Sequence, residues 1–213
     1  MGKPRPVTTA TDYLNGVSPP IRLGLSFLFW LLALGTLAML GADLIAGALK
    51  PFIAMGSRLL LPEQLEIEYV TFTSIANAPL YKLRAVVETP WYFFQHTLPV
   101  GTALEVTFPR DQALFHVVLI GAIVFVWPSD GVRQRAYLLL AGCVAIITST
   151  FLDAAVVMAA NAHELVYEEF APARVDAHWL IRSAKFLDHG GRMILAMLLA
   201  TATVGAIRAL MKR

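Results

Sequence analysis

The chain has 213 residues, of which 57% are hydrophobic and 15% charged, and its mean hydropathy is +0.64. That balance is too apolar for an ordinary water-soluble domain. The net charge of +2 excludes little by itself; what carries information is how the charges divide along the chain.

About 20 apolar helical residues cross a hydrocarbon layer, and four segments approach that length. Residues 1–22 form a mostly polar tail without the pattern of a cleavable signal, so the following span reads as a retained anchor. Leu23 to Ala42 is the clearest span, and residues 23–61 read as a first transmembrane helix with an interfacial extension. In that extension Pro51 is expected to kink the helix, and Lys50 and Arg58 sit where lipid headgroups would be met. Residues 62–112 change character. Leu65 to Thr73 alternates apolar and polar residues, Tyr81 to Glu88 and Thr102 to Phe108 read as further strands, and the aromatic run Pro90 to Phe94 separates them. This is a small β-element that needs helices or a partner to rest on. A second span covers 113–129 and closes at Trp127-Pro128, 130–135 is a turn, and a third span covers 136–160. Residues 161–189 form a helical arm, broken at Pro172, with Asp176 as the expected N-cap of its last helix. Gly190-Gly191 interrupts that helix where the fourth span, 190–207, begins, and 208–213 is a tail.

The charges assign the sides. The tails and the 130–135 turn hold eight Lys and Arg against two acids, whereas the opposite side, the two long connections with the adjoining span ends, holds nine against thirteen, together with all five histidines. The positive-inside rule places both termini in the cytoplasm and the β-element and helical arm outside. The expected fold is therefore a membrane α-helical protein: four transmembrane helices carrying a small extracytoplasmic β-element and helical arms. The single cysteine, Cys143, lies in the third span, so no intrachain disulfide and no cysteine metal cluster can form.

Any chemistry belongs on the outward side. His178, Arg182, Lys185, His189 and Arg192 recur at spacings of four and three, which on an unbroken helix would make one basic face. Glu164 and Glu168 make a short acidic stripe before it. The basic residues read either as ion-paired or headgroup-seeking side chains, or as a surface for an acidic partner. Trp91 and Phe93, in the aromatic run, are candidate partner contacts. His163, His178, His189 and Asp188 offer ligand types suited to a transition metal, but no metal-binding spacing joins them: His163-Glu164 opens like a zincin helix and lacks the second histidine. Apart from that alternative, no cofactor is expected. Asp43 and Asp153 sit near the ends of spans, where a carboxylate is costly unless paired, for instance with Arg192. No nucleophile elbow, phosphate loop or dinucleotide fingerprint is present, and the cytoplasmic segments are too short to bind nucleic acid.

One span leads into an interfacial helix and then a β-element opening Leu65-Glu66-Ile67. A second span runs from Phe115-His116 to Trp127-Pro128, a basic turn holds Arg133 and Arg135, and Gly190-Gly191-Arg192 opens the last span. This layout resembles the small membrane proteins that accompany exosortases in Gram-negative bacteria. The resemblance is architectural, covers most of the chain and carries over no catalytic residue. It implies an inner-membrane accessory or assembly subunit of a protein-sorting or surface-polysaccharide system, in contact with membrane lipid and another integral membrane protein. The rival expectation is a small membrane enzyme or metal-binding protein built on the outward histidines and carboxylates.

Overall fold

The computed structural model describes residues 19–75, 78–93, 96–129 and 131–211. Most of the first tail, Phe94, Asp130, Lys212 and Arg213 lie outside the described residues. The order is α1 (Pro19–Leu40), α2 (Ala42–Leu60), β1 (Leu65–Ile75), β2 (Ala78–Val87), β3 (Trp91–Phe93), β4 (His96–Leu98), β5 (Ala103–Pro109), α3 (Arg110–Val126), α4 (Val132–Phe170), a 3₁₀ turn (Pro172–Ala177), α5 (Trp179–Phe186), a π-turn (Leu187–Gly191) and α6 (Arg192–Met211).

Three helical stretches are long and apolar enough to cross a membrane: Pro20–Leu40, Val132–Phe170 and Trp179–Met211. The apolar α3 has 17 residues. The 39-residue α4 is the spine, and at 1.5 Å per residue it is about 58 Å long, roughly twice a hydrocarbon core. Its most apolar stretch is 56% buried within the chain, against 6% for α1. Small residues allow that burial, among them Ala154, Ala155, Ala159 and Ala160. Gly56 of α2 meets α4 so closely that a Cβ there would lie 2.6 Å from the Phe151 carbonyl oxygen.

The first span and its extension are two helices, divided at Gly41, whose backbone leaves the helical region (φ −100, ψ 18). The expected kink site, Pro51, stays inside α2. At the opposite end of the bundle from the sheet, Arg135 Nη1 donates to the carbonyls of Val124 and Phe125 at 3.0 and 3.3 Å. It thereby satisfies acceptors that the end of α3 leaves open. Arg208 lies over the Trp127 ring at 5.2 Å.

The main sheet is antiparallel in the order β1-β2-β5, and β3-β4 is a separate hairpin. Tyr81, Leu83, Ala85 and Val87 of β2 turn inward with Val106 and Phe108 of β5. The opposite face carries the ion pairs Lys82–Glu105 (2.7 Å) and Arg84–Glu68 (2.9 Å). Leu65 and Ile67 have the opposite parity to Val70 and Phe72, so a regular strand would bury only one pair. A register shift between Ile67 and Tyr69 reconciles them. The sheet is tied down by Tyr81, whose hydroxyl donates to the Ala46 carbonyl of α2 at 3.0 Å, and by Asn161 of α4, which donates to the Thr107 carbonyl at 3.0 Å. Burial pushes the Tyr81 phenol up to about 12, against the opposing pull of nearby Arg110.

Candidate functional site

Where the sheet meets the helices, one carboxylate gathers three of them. Asp153 of α4 is fully buried. Its Oδ2 accepts from Arg192 Nε, the first residue of α6, at 2.6 Å, and from His116 Nε2 of α3 at 3.0 Å. The chain of bonds then runs outward: Arg192 Nη2 donates to Asp188 Oδ1 at 3.0 Å, and Gln112 Nε2 of α3 approaches the same oxygen at 3.4 Å. The Asp153 pair satisfies the requirement that an ion in an apolar bundle be matched. His116 is also fully buried, and its Nδ1, the Asp153 Oδ1 and the Thr150 hydroxyl are buried atoms with no hydrogen-bond partner among the described residues.

The π-turn makes this geometry. Gly190 adopts φ +111, a left-handed conformation that favours glycine, and His189 is also non-helical at φ −89, ψ 23. This break in the helix reorients α6 relative to α5, so Arg192 is buried in the bundle while the polar face of α5 stays exposed. The basic residues therefore do not form one face. Arg182 Nε donates to the Asp176 carbonyl at 2.6 Å, Lys185 pairs with the Asp176 carboxylate, and His189 Nδ1 contacts the Lys185 carbonyl at 2.6 Å. Asp176 is not the N-cap: residues 172–177 wind as a 3₁₀ turn and His178 takes that position. The lysine holds the Asp176 carboxyl below its ordinary range.

Beside the buried chain lies a groove of about 430 Å³, lined by Asp111, Gln112 and Phe115 of α3, Leu187, Asp188 and Gly190 of the π-turn, and Arg192 and Met193 of α6. Next to it, Arg110 Nη1 donates to Asp43 at 3.1 Å, and its Nε lies 3.6 Å from Asp111.

The other histidines go elsewhere. His163 and His178 stack with ring centres 4.5 Å apart, Trp91 meets His163 edge-on at 5.7 Å, and Phe93 meets Tyr167 edge-on at 4.5 Å. Trp91 and Phe93 are consequently buried within this chain, while Tyr92 between them is 76% exposed. His96 stacks on Phe170 at 4.8 Å. Burial, then the nearby His163 ring, hold the His178 imidazole below its ordinary value. Of the four residues weighed as metal ligands, His163 and His178 meet by their faces, His189 contacts a backbone carbonyl, and Asp188 belongs to the arginine chain. Among the described residues, no group of three or more His, Cys, Asp or Glu is placed to hold a metal ion.

The pairing of Asp153 with Arg192 follows from the cost of a lone intramembrane charge. The participation of His116 had no comparable signal, because nothing in the local sequence separates a histidine facing the bundle from one facing a headgroup. Comparison with protein-family models, curated proteins and solved structures found no match.

Proposed function

We propose that this chain is a four-span protein of the bacterial inner membrane, with both termini cytoplasmic, acting as an accessory or assembly subunit through its extracytoplasmic cap. On this reading α3 is the fourth span, a short helix whose carbonyl end is supported by Arg135 and whose first turn is held by Arg110 and Gln112. Its length fits a locally thinned bilayer. The client is another integral membrane protein or its substrate, in protein sorting or surface-polysaccharide export.

The observation that carries the reading is β1. This strand ends the sheet, runs for 11 residues, and pairs only with β2 among the described residues. A long free strand edge is a template for an added strand, in which backbone hydrogen bonds supply affinity and alternate side chains supply specificity. The cap is built to hold that edge still. Tyr81 and Asn161 fasten the sheet to α2 and α4, and α4 continues beyond the length of a bilayer to support it. On β1 itself, Glu68 is paired across the strands with Arg84.

Photo-crosslinking in native membranes tests this directly. A crosslinking residue at Ser74 or Glu66 of β1 is expected to trap one discrete membrane-protein adduct. The same residue at Leu40, on the exposed face of α1, should trap lipid or nothing. Absence of an adduct from both β1 positions would end the partner reading.

A further inference from the structure

The groove between the start of α3 and the start of α6 has two chemically different ends. Phe115, Leu187 and Met193 make an apolar wall, and Asp111, Gln112, Asp188 and Arg192 make a polar mouth. Its volume of about 430 Å³ lies in the range of small-molecule sites. Charge narrows the class of occupant. Around the mouth two guanidinium groups, Arg110 and Arg192, are shared among four carboxylates, Asp43, Asp111, Asp153 and Asp188. Arg192 commits Nε to Asp153 and Nη2 to Asp188 and also lines the groove. The Asp111 and Asp188 side chains are 72% and 52% exposed. The mouth thus presents a guanidinium beside carboxylates in excess.

Resting on the membrane reading above, we propose that this groove holds one zwitterionic phospholipid whose headgroup ends in a primary amine. An acyl chain lies along Phe115 and Met193, the phosphate takes the Arg192 guanidinium, and the ammonium donates to Asp188 and Asp111. Each preference has a physical source. A quaternary amine carries the same charge but has no N–H to give the carboxylates. A glycerol headgroup leaves the phosphate charge uncompensated against the surplus of acids. Gln112 adds to the mouth a side-chain oxygen that is buried without a partner among the described residues and can accept a further N–H.

The test uses the full chain in mild detergent, stripped of lipid and titrated with phosphatidylethanolamine, phosphatidylcholine or phosphatidylglycerol, with adducts read by native mass spectrometry. One phosphatidylethanolamine per chain should be retained about tenfold more than either competitor. Met193→Trp, which fills the groove from its apolar wall, should abolish that retention. Asp111→Asn, at an exposed position, should weaken it severalfold without changing the melting curve. Equal adducts from the three lipids would overturn the proposal, as would a preference that survives Met193→Trp. Release of the native chain from membranes by alkaline carbonate would instead strike the membrane reading and remove the basis for the site.

Discussion

Asp153 has both of its strong partners on a single oxygen, so each partner is held partly by the other's charge. Removing Arg192 leaves a buried carboxylate with only an imidazole to face, whereas removing both charges leaves an apolar contact between α4 and α6. Arg192→Met should therefore cost about 3–5 kcal/mol of stability, and adding Asp153→Leu should recover most of that loss. Thermal unfolding of the two single variants and the double variant in one detergent measures this directly. A single-variant loss below about 1 kcal/mol, the range of exposed pairs, would mean that the bond chain does not hold the helices together. The Asp153–Arg192 pair was foreseeable from sequence because burial of a charge demands a mate. The groove beside it was not, since Phe115 and Met193 are ordinary apolar residues until two helix ends converge.

Between elements, what decides placement is phase. His178, Arg182, Lys185, His189 and Arg192 share a face only if the helix winds uniformly, and one π-turn at Leu187–Gly191 sends the last of them inward. The sequence marks the place with Gly190-Gly191, but glycine signals an interruption without saying how far it turns the next helix. The parity change inside β1 is legible in the same partial way: Leu65 and Ile67 against Val70 and Phe72 require a bulge somewhere between them. The stacking of His163 on His178 is a tertiary event joining α4 to the connection before α5, and no local pattern encodes it. That contact has a consequence for pH. Burial and the neighbouring ring lower the His178 pKa, so the packed arrangement favours the neutral imidazole and an opened arm binds the proton more readily. The contact is at full strength above the ordinary histidine value of about 6.5 and weakens as pH falls through and below it. Hydrogen exchange over residues 160–180 should show protection dropping between pH 7.5 and 5.5 in the native chain. The drop should be much smaller in His178→Gln. Protection that stays constant in the native chain across that range would dismiss the effect.

At the scale of the whole molecule, apolar runs and charge partition foretold helices of membrane-crossing length with a small sheet between them, and the fold has three such helices, a 17-residue fourth and that sheet. Length alone could not place the fourth helix, because a mostly apolar helix of 17 residues serves equally as a short span or as a buried core helix. Packing separates the two ends of the bundle instead. The sheet, the α5 arm and the Asp153 chain gather at one end. The α3–α4 turn and the first turn of α4, with Arg133 and Arg135, lie at the other, where Arg135 caps α3. If the chain crosses the membrane four times, the positive-inside rule puts the turn in the cytoplasm and the cap outside. Cys143, the only cysteine, makes the test clean. In a Cys143→Ala background, Tyr92→Cys on the cap and Arg133→Cys in the turn each provide one exposed thiol. A membrane-impermeant maleimide applied to spheroplasts should label position 92 at once and position 133 only after lysis. Labelling of position 133 in intact spheroplasts, with position 92 protected, would invert the topology; it would also move the β1 edge and the lipid groove to the cytoplasmic face.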